Sequence, residues 1–385
     1  MSSTPAPSRL RDGLGVCVVV FLVARIALSI AGAIGVGDAA TGGTGIGAPG
    51  PGLEVPATSG WHNAFDGLDR WDGTWFVYIA DEGYDDEGPS AAFFPLYPML
   101  IRLVAAITGD AWLAATLVAN VSFFFALLLL HALTASLFDA TTARRAVVLL
   151  AVFPSSFIFF APYSESLYLL ASLVAFHSAT HARWGLTAVG GMAATVTRSI
   201  GITIVPALAM IAWQRRGRER HRGLAAAAAT AIGLAAYLSW WLVRGDLAAP
   251  AEAQATWDRA LAFPMWSVGE GMSLALRGLT APGGWHWVHD ALLSFVVVVA
   301  LVAGRRFLPS PFATYAWLGL LIPLAYPLAA RPLLSVSRFA VVLFPIAWAA
   351  AGLLRDRRWF AAAVSLSALG WVASAVAFMN WRFIV

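Results

Sequence analysis

WLAATLVANVSFFFALLLLHALTASLF, residues 112–138, decides the fold. No formal charge interrupts it. A helix rises 1.5 Å per residue, and about 20 apolar residues cross a bilayer core of about 30 Å. The stretch therefore reads as a membrane-spanning helix. Working outward, comparable apolar stretches recur near 14–36, 146–162, 165–181, 184–197, 199–213, 224–243, 287–303, 312–330, 338–354 and 359–379. Hydrophobic residues make up 59% of the 385 and charged residues 12%, against about 25% charged in a soluble domain. The mean hydropathy is +0.74. Between the spans no stretch is long enough to bury a core of its own. The expectation is an all-α polytopic membrane protein of about 10–12 transmembrane helices. A cytoplasmic N-terminus, 1–13, precedes one domain, 14–385, with outer loops at 37–110 and 244–286.

The charges set the orientation. The basic residues are all arginine, and the pI of 9.6 could suggest nucleic acid. Their placement points to the membrane instead. Arg9/Arg11, Arg144/Arg145, Arg183, Arg215 to Arg222, Arg305/Arg306 and Arg355 to Arg358 fall on one side if 184–213 is a helical hairpin. By the positive-inside rule that side is cytoplasmic. Of the 21 acids, only Asp12, Asp139, Glu219 and Asp356 share it. Acids weigh little in setting topology, so their crowding on the outer side points to function. The lone cysteine, Cys17, excludes an intramolecular disulfide. The apolar run 14–36 exceeds a cleaved signal peptide's core of roughly 7–15 residues and reads as a retained helix.

Just before the 112–138 span lies RWDGTWFVYIADEGYDDEGPSAAFFPLYPML, Arg70 to Leu100. Its outer loop opens with a Gly/Pro-rich stretch from Gly37 to Gly60, expected to be flexible. Trp71, Trp75, Tyr78 and Ile79 then recur at helical spacing, predicting a short helix over Gly73–Glu82 lying on the bilayer. Phe93–Ile107, which opens with Pro95 and Pro98, reads as a second helix, either interfacial or half-buried. Asp72 stands between Trp71 and Gly73. It is either a general base for an acceptor hydroxyl or the N-cap of the following helix. The acidic run Asp85–Glu87 lacks the spacing of a calcium loop, and no metal site is expected.

Other constellations sit at span ends on the same side. In FPSSFIFFAPYSESLY, from Phe153, Glu165 either binds substrate hydroxyls, pairs with an arginine or serves as a helix N-terminal acid. Arg198, in TVTRSIG, lies at the tip of the 184–213 hairpin. Arg331 and Arg338 flank RPLLSVSR; such arginines either meet phosphate or snorkel to headgroups, the latter a reading open for Arg331. Guanidinium groups fork onto phosphate oxygens, so Arg198 and Arg338 are candidate ligands of a lipid phosphate. Trp257 and Arg259, in QATWDRALAFP, either line the same cavity or anchor the second loop. His177 and His181 share a helix face at the opposite end and read as structural. The substrate-binding candidates are thus Trp71, Tyr84, Tyr163, Glu165, Arg198, Trp257 and Arg338, around Asp72.

Five segments resemble the PIG-V family of membrane mannosyltransferases, in its bacterial branch: RWDGTWFVYIADEGY, AFFPLYPMLIR, FPSSFIFFAPYSESLYLL, TVTRSIGI and SRFAVVLFPIAW. They occur in the family's order between Phe65 and Ala350. The resemblance implies a GT-C architecture with its active site on the extracytoplasmic side of the cell membrane. It implies a polyprenyl-phosphate sugar donor, mannose in the eukaryotic members, and a glycolipid, glycan or protein acceptor. No cofactor and no nucleic acid are implied. An acid of the first outer loop is usually the base in GT-C enzymes, and that role carries over to Asp72. The mechanism expected is one inverting displacement at the anomeric carbon, with arginines stabilising the phosphate leaving group. Two other classes fit the composition: a lipid-linked sugar transporter or flippase, which often shows internal repeats not apparent here, and a non-catalytic subunit of a glycosylation complex.

Overall fold

Proline and glycine decide where this apolar chain stops being continuous helix. A computed structural model describes residues 6–36, 62–85, 88–382 and 384. The Gly37–Gly60 stretch, and Asp86 and Glu87 of the acidic run, lie outside the described residues. Helix α1, Ala6–Gly35, starts ahead of the expected boundary at 14 and leaves Val19, Val23, Ile26 and Ile34 exposed. In a membrane protein such apolar faces meet lipid. A short turn, α2 (Asn63–Asp66), leads to α3, Asp72–Asp81. Helix α3 forms where the aromatic spacing predicts it, but it does not lie on the bilayer. Seven of its ten residues, among them Trp75, Phe76 and Ile79, are buried, and a helix apolar nearly all round seeks the interior. It packs on α4 (Leu96–Thr108) and α5 (Ala111–Leu137). Helix α4 buries Tyr97 and Ile101 and exposes Met99, Leu103 and Ile107, the half-buried one of the two readings.

The predicted 146–162 span breaks at Pro154. Helix α6 (Ala140–Ala151) and the 3-10 turn Pro154–Phe160 meet at 83°. The chain then enters α7, Glu165–Thr180, twelve of whose sixteen residues are buried. At 1.5 Å per residue α7 is only about 24 Å long. It is the central post of the fold, between α5 and α8 (Trp184–Thr197). The hairpin reading of 184–213 is the one adopted. Helix α8, the turn Ser199–Thr203 and α9 (Ile204–Trp213) fold back so that Trp184 and Ala212 both lie against Gly223. Gly201 permits the reversal, since a Cβ there would meet the Ala194 carbonyl oxygen at 2.6 Å.

Gly223 belongs to α10, Gly217–Val243. The segment 244–286 carries α11 (Ala249–Ala255) and α12 (Pro264–Gly278), the latter exposing Met265, Trp266 and Leu276. Helices α13 (Trp285–Gly304) and α14 (Ser310–Ala325) follow. The predicted 338–354 span breaks at Pro345 into α15 (Val336–Val341) and α16 (Pro345–Leu353), and α17 (Arg357–Met379) closes the bundle. Among the described residues five helical stretches are long and apolar enough to cross a membrane: Gly13–Gly35, Ala111–Leu137, Gly217–Val243, Trp285–Phe307 and Arg357–Met379. The bent pair at Pro154 is a sixth if counted as one span. The arginine clusters gather at the end away from Asp72. Arg145 donates to the Leu354 carbonyl, Arg355 and Arg306 both sit over Phe307, and Arg215 donates to the Thr180 carbonyl at the far end of α7. The protein is an all-α, multi-pass membrane protein.

Candidate active site

The broken helices deliver their ends to one place. Glu165 opens α7, Arg198 closes α8, Asp72 opens α3 and Arg338 lies in α15. Non-helical backbone is tolerated at membrane depth where it is buried in protein or lines a cavity, and these breaks do so. Glu165 is fully buried. Its Oε1 accepts from Arg198 Nη1 at 2.8 Å and from Arg338 Nε. Arg338 Nη1 reaches on to Asp72 Oδ2 at 2.6 Å. The result is a chain of alternating charge, Asp72–Arg338–Glu165–Arg198. Arg198 also donates to Ser164 Oγ at 3.0 Å and lies over the Phe339 ring.

Tyr163 sits beneath this chain. Its hydroxyl accepts from the Asp72 backbone N–H and donates to the Arg70 carbonyl, both at 3.1 Å, and its ring faces the Arg338 guanidinium at 4.8 Å. The tyrosine thus holds the backbone of one charged residue and the side chain of another. Close approach of α3 to this segment requires Gly73, because a Cβ there would meet Pro162 Cγ at 2.9 Å.

Asp72 is the first residue of α3; the N-cap position belongs to Trp71, and no side chain caps the helix. The capping role weighed from the sequence is not the one its carboxylate takes up, which is the pairing with Arg338. Trp71 holds φ at 56°, Ser335 at 65° and Asp258 at 52°. Positive φ is uncommon for non-glycine residues and persists only where the surroundings over-determine it. Trp71 and Asp258 directly precede Asp72 and Arg259, and Ser335 lies three residues before Arg338, so three of the five positive-φ non-glycine residues among those described flank charged side chains of the site.

A cavity of about 560 Å³ opens against the network. Asp72, Arg198, Trp257 and Arg338 line it, joined by Ser164, Arg259 and Ser335. Its flank is apolar, with Leu234 and Leu238 of α10 and Ile322 and Pro323 of α14. Trp257 packs edge-on against Trp75, which places the indole at the cavity wall. Four candidates do not line the cavity. Trp71 is buried against Trp381 behind α3. Tyr163 and Glu165 are fully buried behind the lining residues. Tyr84 is a correction of a different kind: its hydroxyl donates to the Phe93 carbonyl at 2.7 Å, and its ring packs with Tyr237, Trp240 and Trp241. It ties the segment between α3 and α4 to α10 instead of facing the cavity. Arg331 is also corrected. It is buried and paired with Asp290 at 2.7 Å, so it does not snorkel. The His177 and His181 rings lie tilted against each other, centroids 4.5 Å apart, at the basic end of α7. Among the described residues no group of three metal-ligating side chains occurs.

The pattern QATWDRALAFP does not decide whether Arg259 faces the cavity or anchors the loop. What brings it to the cavity is pairing far along the chain: an antiparallel bridge with Leu328, and hydrogen bonds from its guanidinium to the Tyr326 carbonyl and Ser335 Oγ.

These features define a polytopic helical membrane protein with a buried acid–arginine network facing a partly apolar cavity. The model of the family described as Mannosyltransferase (PIG-V) matches residues 54–216, so over that segment the chain is similar to these mannosyltransferases. The segment holds Asp72, Tyr163, Glu165 and Arg198; Arg259 and Arg338 lie beyond it. A GPI mannosyltransferase 2 of Drosophila pseudoobscura pseudoobscura is 34% identical over 120 residues, 28% of this chain and 26% of that protein. That of Drosophila melanogaster is 33% identical over 118 residues, with the same shares. The matched stretch thus spans about a quarter of these relatives' length. Among solved structures, an Archaeoglobus fulgidus oligosaccharyltransferase tethered to an acceptor peptide aligns with 96% of this chain and 56% of its own, at a TM-score of 0.48 and 11% identity. A complex of that enzyme with zinc and sulfate aligns with 94% and 52%, at 0.45 and 12%.

Proposed function

We propose that this chain is a membrane glycosyltransferase of GT-C type that moves a sugar, mannose by the names of its relatives, from a polyprenyl-phosphate donor to an acceptor hydroxyl. The observation that carries the reading is the Asp72–Arg338–Glu165–Arg198 network at the wall of a cavity with one charged side and one apolar flank. A lipid-linked phosphate has those two halves. The arginine clusters at the opposite end support an extracytoplasmic site by the positive-inside rule.

In the reaction the acceptor oxygen attacks the anomeric carbon from the face opposite the phosphate. The new C–O bond forms as the bond from carbon to phosphate oxygen breaks, and that electron pair leaves on the phosphate. Asp72 takes the acceptor's proton, a step worth about 10²–10⁴-fold. The configuration inverts. Arg338 and Arg198 face the developing phosphate charge from fixed positions, which costs no reorganisation during the step. Tyr163 and Glu165 hold Asp72 and the two arginines without touching substrate.

The test is incubation of the purified full chain with a panel of polyprenyl-phosphate sugars and simple alkyl glycoside acceptors, followed by mass spectrometry. A glycosylated acceptor that disappears with Asp72→Asn supports the reading. Donor consumption by neither protein, across the panel, would overturn it.

A further inference from the structure

Three guanidinium groups line the cavity, and two carboxylates answer them. Arg338 is shared between Asp72 and Glu165, and Arg198 is paired with Glu165. Arg259 has no carboxylate oxygen within 4.0 Å among the described residues; its partners are the neutral Tyr326 carbonyl at 3.1 Å and Ser335 Oγ at 3.3 Å. A guanidinium carries five N–H donors, and these contacts engage two. The group is nevertheless held in place. Its backbone bridges to Leu328, the Ala262 N–H donates to the Ala325 carbonyl at 2.9 Å, and the Ala329 N–H donates to the Asp258 carbonyl. Ser335, which accepts from Arg259, is also the residue from which α15 carries Arg338 into the network.

We propose that Arg259 is the residue that meets the charge of the donor's phosphodiester, and so selects a singly charged lipid-linked sugar. This rests on the polyprenyl-phosphate reading above. With Asp72 and Glu165 ionised, the three lining arginines and the two carboxylates that answer them sum to one positive charge, and a phosphodiester carries one negative charge at neutral pH. Arg198 and Arg338 are already compensated, so they orient the phosphate, while Arg259 supplies the charge that favours an anion over a neutral glycoside. Burial first, and then the Arg338 charge, push the Arg259 guanidinium down to about 10, against Asp72 and with some help from Arg198. It stays cationic at neutral pH, in a place where an arriving anion relieves it. Its position on the second outer loop ties that loop's placement to donor binding.

The experiment uses the full chain in lipid nanodiscs and two synthetic ligands with the same tail and sugar. One is farnesyl phosphoryl mannose, a singly charged diester; the other is farnesyl mannoside, which is neutral. Wild type is expected to prefer the diester. Arg259→Gln is expected to weaken the diester roughly ten- to hundredfold, the range for a lost hydrogen bond to a charged group, and to leave the mannoside within about threefold, the scatter of a near-neutral contact. Arg259→Lys should retain part of the affinity, as a point charge without the fork. Arg259→Met, which keeps much of the apolar stem, serves the same comparison should the glutamine variant not purify as a monodisperse species. If Arg259→Gln binds the diester as wild type does, the assignment fails and the polyprenyl reading stands. If both ligands weaken equally, Arg259 is a loop tether and the assignment fails. If wild type shows no preference for the diester, both fail together.

Discussion

Removing the charge of Glu165 isolates the structural half of the network. Glu165→Gln keeps the side chain's shape, so the helix start and local packing survive. The native Oε1 accepts from both Arg338 and Arg198, and the residue is fully buried. After the change Arg338 still holds Asp72 at 2.6 Å. Arg198 is left with Ser164 Oγ and the Phe339 ring, neither of them charged. The uncompensated buried charge therefore falls on Arg198. Breaking a buried pair from one side costs about 3–5 kcal/mol. At about 2.1 cal/mol/K per residue, a chain of 385 residues unfolds with an entropy near 0.8 kcal/mol/K, which converts the loss to about 4–6 °C in melting temperature. Helices that persist in detergent lower that entropy and enlarge the shift. The assay is tryptophan fluorescence melting in detergent, with size-exclusion chromatography to show that each variant is monodisperse. The double variant Glu165→Gln/Arg198→Gln should recover part of the loss, because removing both partners leaves nothing unpaired. A single variant melting within about 1 °C of wild type, an effect below 1 kcal/mol on the same conversion, would show that the network is not what holds α7, α8 and α15 together.

Three further outcomes follow from the same geometry. Asp72→Asn should fold normally and lose about 10²–10⁴-fold in sugar transfer, measured as initial rates with a saturating donor; a wild-type rate would remove Asp72 from the proton-transfer step. Asp69 behaves oppositely. Burial, and then the nearby Asp66, push its carboxyl well above the usual range, against Arg70 and Arg25. The native state therefore holds that proton more tightly than the unfolded chain, and its contribution to stability falls as pH rises from about 4, the unfolded value, toward the native pKa. Asp69→Asn should melt at or above wild type at neutral pH and match it in mild acid, with transfer activity retained; a lower melting temperature at neutral pH refutes this. On a Cys17→Ala background, a cysteine at Arg218 should react with an impermeant maleimide only from the cytoplasmic side and one at Thr280 only from the other, since α10 and α13 start at opposite ends; the reverse pattern would invert the topology.

The helical class was legible because composition alone rules out a water-exposed surface, and charge placement alone separates the two ends. The hairpin at 184–213 was legible for the same reason: only a reversal keeps Arg215 to Arg222 with the other basic clusters, and Trp184 and Ala212 do meet at Gly223. The breaks were written in Pro154 and Pro345, yet hydropathy windows run through them. A missing N–H says that a helix ends; it does not say that the chain turns by 83° and brings α7 to the site.

Within the site, residue type was more legible than direction. Asp72, Arg198 and Arg338 could be singled out because charge in an apolar chain is costly and needs a reason. Whether Asp72 caps a helix or faces a cavity depends on one backbone position, and Trp71 takes the cap at φ 56°. Tyr84 and Trp71 are aromatic in the right loop but packed away from the cavity, because aromatic rings serve the core as readily as a ligand. Arg259 shows the limit most sharply. In QATWDRALAFP nothing separates an arginine that anchors a loop in headgroups from one that faces inward. The difference lies in contacts to Tyr326, Leu328 and Ser335, some seventy residues away. Local spacing carries no record of such pairing. The charge balance of the cavity, one cation in excess over its carboxylates, becomes readable only once the second outer loop has been folded onto the 325–335 strip.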